Sequence, residues 1–135
     1  MNLTNVRAGL YERALRTGLR GYDSSRSSLD PDCFVVALGA GEYHNDFTDG
    51  ETVTWTVLCL FTRAGGDERA QYKIDDLLSP DTATSMIDAL ETAVTGDVLT
   101  TACDTVQVIG WGEPGTYTAG DTEFVGVEVT VATIT

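Results

Sequence analysis

The chain has 135 residues, 42% of them hydrophobic, and a formal net charge of −13. That length fits one domain with one core, and the composition excludes a chain disordered throughout. The acidic excess disfavours direct binding to nucleic acid or to an anionic membrane, and no apolar run approaches the ~20 residues needed to cross a bilayer.

Thr4 to about Leu19 reads as a helix capped by Thr4. Val6, Leu10 and Ala14 form one stripe, widened by Tyr11 and Leu15. Gly18 and Gly21 end it. A polar loop, Tyr22 to Asp32, leads to a strand-length apolar run at Cys33–Leu38, which Gly39-Ala40-Gly41 is expected to break. Glu42–Thr48 is a second candidate strand, and Asp49-Gly50 suits a hairpin turn because glycine accepts positive φ.

The run that follows alternates. Val53, Trp55, Val57, Cys59 and Phe61 share one face; Thr52, Thr54 and Thr56 share the other, which turns apolar at Leu58 and Leu60. Period two with β-branched and aromatic residues predicts a strand whose second half is covered on both sides. Asp67 opens a helix to about Leu78, with Ala70, Ile74, Leu77 and Leu78 inward, and Pro80 stops it. A second helix starts at Asp81 or Thr82, places Met86, Ile87, Leu90 and Val94 on one face, and ends at Gly96. Thr105–Ile109 is a strand, Gly110–Gly115 a loop, and Glu123–Ile134 a closing strand with Val125, Val127, Val129 and Val131 on one face. The order α-β-β-β-α-α-β-β predicts a single α+β domain over residues 1–135, with a mixed or antiparallel sheet and helices packed on one face.

No motif in the chain carries a reaction. Gly110-Trp111-Gly112-Glu113-Pro114-Gly115 matches G-x-G-x-x-G, but no helix follows to hold a pyrophosphate, so it reads as a loop. His44 is the only histidine, and no nucleophile elbow or clustered Cys and His accompanies it. His44, Asp46 and Asp49 could be imagined as ligands around a hairpin, yet turn chemistry accounts for them. Chance alone pairs carboxylates among twenty-one acids. The expectation is therefore no enzyme, no cofactor and no metal.

Cys33, Cys59 and Cys103 are an odd number at wide spacing, in or beside apolar or Thr-rich runs, and read as free thiols in a reducing compartment. The first residues carry no apolar segment of the kind a signal peptide needs. A cytosol, or a particle assembled there, is the expected location.

Two features suggest contacts with other proteins. Residues 1–20 carry Arg7, Arg13, Arg16 and Arg20 against Glu12, a charge of +3, while the remainder carries −16. The bland reading of such a run is a solvated face; the sharper one is docking on an acidic neighbour. The aromatics Tyr43, Phe47, Trp111 and Tyr117 fall in or beside loop-rich hairpins, where aromatics favour interfaces, whereas Trp55 suits the core. Arg7, Arg13, Arg16, Tyr43, His44, Phe47, Trp111 and Tyr117 are the interface candidates.

The chain also resembles the tail terminators, or closely related head–tail completion proteins, of the long-tailed phages of actinobacteria. The resemblance lies in Val6-Arg7-Ala8-Gly9-Leu10 to Leu19-Arg20 followed by Tyr22-Asp23 and Pro31-Asp32-Cys33-Phe34-Val35-Val36. It continues in Tyr43-His44-Asn45-Asp46-Phe47, Leu60-Phe61-Thr62-Arg63, Asp67-Glu68-Arg69-Ala70-Gln71, Asp76-Leu77-Leu78-Ser79-Pro80 and Ser85 to Glu91. It closes with Gly115-Thr116-Tyr117 and Phe124-Val125-Gly126-Val127-Glu128-Val129. It spans nearly the whole chain and rests on element order and residue type. It implies a sheet with flanking helices and a homo-oligomeric, hexameric ring in the tail or neck of a virion, assembled in the host cytoplasm. Such a ring caps the tail tube protein and meets the head–tail connector or stopper, and DNA passes through its lumen without specific binding. On that reading the basic first helix, or the hairpin near His44, meets an acidic face of the next subunit. The alternatives are a head-closure stopper, a minor tail protein, a small acidic ligand- or protein-binding domain, or a host-directed regulator.

Overall fold

A computed structural model describes residues 1–22, 29–43, 50–119 and 121–135, with the backbone alone at Glu42, Tyr43 and Ala119. The expected α+β architecture is present: helices lie against one face of a six-stranded mixed sheet.

The chain opens with α1 (Leu3–Ala14), continued by a 3-10 turn at Leu15–Thr17. Asn2, two residues before the expected Thr4, is the cap; its side chain accepts the Asn5 N–H at 3.1 Å. Gly18 ends the turn with φ of 86°, a conformation glycine adopts without a Cβ penalty. Strands β1 (Arg20–Tyr22), β2 (Cys33–Tyr43) and β3 (Glu51–Thr62) follow. Then come α2 (Asp67–Leu78), α3 (Met86–Glu91) and α4 (Leu99–Ala102), and finally β4 (Thr105–Trp111), β5 (Gly115–Ala119) and β6 (Thr122–Ile134).

The sheet order is β1-β2-β3-β6-β4, with β5 also on β6. Only β1–β2 is parallel. The central pair is β3–β6, in unbroken antiparallel register from Thr52↔Ile134 to Thr62↔Phe124. This register puts Val53, Trp55, Val57, Cys59 and Phe61 beside Val127, Val129 and Val131 on the face that the helices cover. Val6, Leu10 and Ala14 of α1, Ile74 and Leu77 of α2, Met86 and Leu90 of α3, and Leu99 of α4 complete that core. Within it the Trp55 indole Nε1–H donates to Thr133 Oγ1 at 3.0 Å, so a deeply buried donor is satisfied. On the opposite face Cys33, Leu60 and Phe124 form a second cluster beneath Tyr22, Leu29, Leu58 and Tyr117. The second half of β3 is thus covered on both sides, as its Leu58 and Leu60 implied.

Four expectations need correction. First, β2 does not stop at Gly39-Ala40-Gly41. The strand passes through them with a register shift between Leu38 and Gly41. A Cβ on Gly39 would lie 2.6 Å from the Thr54 carbonyl oxygen, so the glycine permits close backbone approach at a bulge rather than ending a strand. Second, Glu51 pairs with Tyr43, whereas a two-residue turn at Asp49-Gly50 would set it opposite Thr48; residues 44–49 lie outside the described residues.

Third, the helix expected from Asp81 or Thr82 begins only at Met86. Ser85 accepts the Asp88 N–H at 3.2 Å and caps it, and Asp88 in turn accepts the Asp81 N–H at 2.6 Å. The upstream segment is held as turns by Thr82, which donates to the Asp76 and Ser79 carbonyls. The helix stops at Glu91, and Val94 is exposed instead of inward. Fourth, half of the expected Gly110–Gly115 loop belongs to strands: Gly110 and Trp111 to β4 and Gly115 to β5. β4 and β5 lie end to end along the same edge of the thirteen-residue β6, with only Gly112-Glu113-Pro114 between them. Pro114 lacks the N–H a ladder needs, which fits its place in the gap. The short β1 and α4 carry too few residues for any periodic signal.

At the α1–α4 contact, a Cβ on Gly9 would meet Leu99 Cβ at 2.6 Å and its backbone at 3.0 Å. Backbone on both sides cannot yield as a side-chain tip can. Gly9→Ala should therefore cost about 1–3 kcal/mol through overpacking, despite alanine's better helix propensity. Thermal unfolding checks this: the midpoint should fall, and an unchanged or higher midpoint would contradict the packing described.

Candidate interaction surface

The basic first helix turns much of its charge inward. Arg13 is only 4% exposed. Its Nε donates to Asp97 Oδ2 at 2.9 Å and its Nη1 to the Leu90 carbonyl at 2.8 Å. Arg16 donates to the carbonyls of Ala89 and Thr92 at the end of α3, and to Thr92 at 2.6 Å. Carbonyls in a helix's last turn lack internal partners, and a guanidinium matches both their geometry and their partial negative charge. Arg7 stacks its guanidinium 5.5 Å from the Trp55 ring centroid and donates to the Val36 carbonyl at 3.3 Å. The three arginines expected to face a neighbouring subunit thus tie α1 to α3, to the Asp97 turn and to the sheet. Charge reversal at Arg13 or Arg16 tests the fold, not a ring.

Asp97 is the counterpart of this clamp. Burial alone would raise its carboxyl, but the bond from Arg13 and the N–H groups of Val94 and Thr100 outweigh burial and hold it below the ordinary carboxylate value. A carboxylate held low in the fold stabilises the folded state above its unfolded value, and that stability is lost as pH falls through the folded one.

The aromatic candidates separate. Tyr117, half-buried, packs on the second cluster opposite Phe124, and a Cβ on Gly126 would lie 2.9 Å from its ring. Burial raises its phenol, with the Glu128 charge adding to the effect. Trp111 is 52% exposed at the end of β4, beside Leu78 and Pro80 at the end of α2 and next to Pro114. Tyr43 ends β2, where it pairs with Glu51. His44 and Phe47 lie outside the described residues.

The structure adds two residues that periodicity missed, Leu38 (47% exposed) and Ile109 (62% exposed). Leu38 sits at the β2 register shift, and Ile109 sits at the matching shift in β4 between Val108 and Gly110. At Ile109 the bulge interrupts the alternation, whereas Leu38 stays in register opposite Trp55 and its exposure has no signal in the local pattern. Leu38 therefore lies on β2 beyond the residues that β1 pairs with, and Ile109 and Trp111 lie on β4 at the other side of the sheet.

The cavities offer little chemistry. One of about 220 Å³ is lined by Phe61, Leu77, Asp76 and the Lys73–Asp32 pair. Lys73 Nζ and Asp32 Oδ2 are 2.6 Å apart, and Asp32 Oδ1 accepts the Thr62 N–H at 3.1 Å, so these charges serve each other and the backbone. No group of three or more His, Cys, Asp or Glu residues that could hold a metal comes together among the described residues. All three cysteines are free and buried; burial pushes the Cys33 thiol up to about 11 and the Cys59 and Cys103 thiols upward as well. No helix among the described residues is long and apolar enough to cross a membrane. The chain matches no family model and no curated protein sequence.

Arg13→Met leaves Asp97 buried without its partner and should cost about 3–5 kcal/mol. Asp97→Asn should flatten the loss of stability in acid that the wild-type chain shows. Denaturant unfolding at stepped pH reads both, and a variant as acid-sensitive as the wild type would contradict the assignment to Asp97.

Proposed function

We propose that this chain is a structural assembly protein, and specifically a phage tail terminator whose copies form a ring. The single observation that carries the reading is where the exposed large apolar groups lie. Leu38 on β2 and Ile109 and Trp111 on β4 are three of the six exposed large apolar residues among the described residues, the other three (Leu15, Tyr72 and Val94) lying outside the sheet, on a chain whose net charge is −13. Exposed apolar groups gathered on strand edges suit subunit contacts, whereas the acidic remainder suits solvent and repulsion. The family resemblance of the sequence, and the sheet with helices on one face, support the same reading.

In this role the ring caps the tail tube protein, halts its growth and presents its other side to the head–tail connector or stopper. An acidic lumen would let DNA pass by repulsion alone. The resulting virion would carry the chain in its neck or tail.

Disrupting the gene in the phage that carries it should give tails of unregulated length that fail to join heads, seen by electron microscopy. Normal tails joined to filled heads would overturn the proposal. Like-charged copies should also associate more tightly as salt rises, because a Debye length of about 10 Å at 0.1 M shrinks to about 3 Å at 1 M. Native mass spectrometry or light scattering across that range checks it; dissociation at high salt would instead indicate contacts held by ion pairs.

A further inference from the structure

The two outer edges of the sheet share properties that strand edges normally avoid. Beyond Val35, no described strand pairs with the outer side of β2. No described strand pairs with the outer side of β4. Val36 to Gly41 on the first edge, and Thr105 to Trp111 on the second, contain neither a charged residue nor a proline. Yet 21% of the chain is charged. Lysine and proline are the usual guards against edge-to-edge pairing. Here the edges instead expose Leu38, Ile109 and Trp111.

Strand direction makes the two edges complementary. From β2 to β3 to β6 to β4 every step is antiparallel, so β2 and β4 run in opposite directions. A second copy shifted sideways in the same orientation would set its β2 antiparallel to the first copy's β4, and its helices on the same side. We propose that the β4 edge of one copy pairs with the β2 edge of the next, head to tail, so that one sheet continues through the assembly. This names the contact for the assembly reading above and rests on it, but not on the phage role.

Strand direction selects a second copy as the occupant, because the chain's own β2 edge is the antiparallel complement of its β4 edge. Neither edge segment carries a charged residue of its own, but each is touched by one: Arg7 donates to the Val36 carbonyl and Glu91 accepts from the Val108 N–H, two opposite charges that an incoming strand displaces. The contact is heterologous, so it closes into a ring when the rotation between copies allows. Strand twist supplies a rotation at every step. The register shifts near Leu38 and Ile109 limit each ladder to a few residues, which opposes indefinite pairing. One edge donor is already held: Val108 N–H donates to Glu91 Oε2 at 3.0 Å. Pairing there displaces this carboxylate, so Glu91 competes with the incoming strand.

Leu38→Lys and Ile109→Lys block one edge each at exposed positions. The wild-type chain should show a closed multimer by light scattering and native mass spectrometry, and each variant alone should be a monomer. Mixing the two variants leaves one good edge on each and should give a dimer and nothing larger. Glu91→Ala should lower the concentration at which wild-type assembly begins. Ala37→Lys and Gln107→Lys, also at exposed sites, repeat the mixing test if circular dichroism shows that the first pair is misfolded. A monomeric wild type, a single variant that keeps the wild-type mass, a mixture without dimers, or weaker assembly by Glu91→Ala would each overturn the pairing. Overlong tails after gene disruption together with failed mixing would sink the edges and keep the terminator. Successful mixing with normal tails would do the reverse.

Discussion

The β3–β6 ladder is the constraint on which the rest of the molecule depends. Its register sets Trp55 beside Val131 and Val57 beside Val129, so one residue of slippage would turn the whole apolar set to the other face. Every helix packs on the side this register selects. β2 and β4 then extend the sheet from the two sides of the pair, and among the described residues only β1, over Cys33–Val35, pairs with an outer side of either.

That ladder was also the most legible part of the sequence. Strict alternation over Val53–Phe61 and Val125–Val131 named the buried face before any packing was known, and the helix Asp67–Leu78 was marked by its apolar spacing and by Pro80. What stayed hidden lacked a local signature. β1 is three residues held by a parallel partner, α4 is a single turn, and β5 is a strand because β6 reaches far enough to pair with it. Glycine misled at residues 39–41, since the pressure there comes from the Thr54 carbonyl across the sheet and not from the chain itself.

The candidate surface was legible in a different proportion. A cluster of arginines on one helix gives the same sequence pattern whether it faces water, a partner or the chain's own helix ends. Arg13 and Arg16 meet the end of α3, which lies more than seventy residues away in sequence, and no local rule could pair them. Trp111 emerged from residue type alone. Ile109 falls at the β4 register shift, where alternation is interrupted, and Leu38 stays in register with Trp55, so neither exposure had a local signature.

The three cysteines hold a further consequence. Cys103 lies at the end of α4, Cys59 in the helix-covered face of β3, and Cys33 in the cluster on the opposite face. Each thiol is buried and held protonated at neutral pH. Alkylating reagents therefore gain access to each sulfur only when its own layer opens, and the three labelling rates become separate clocks for the fraying of the helical layer, the parting of the main core and the lifting of the far side of the sheet.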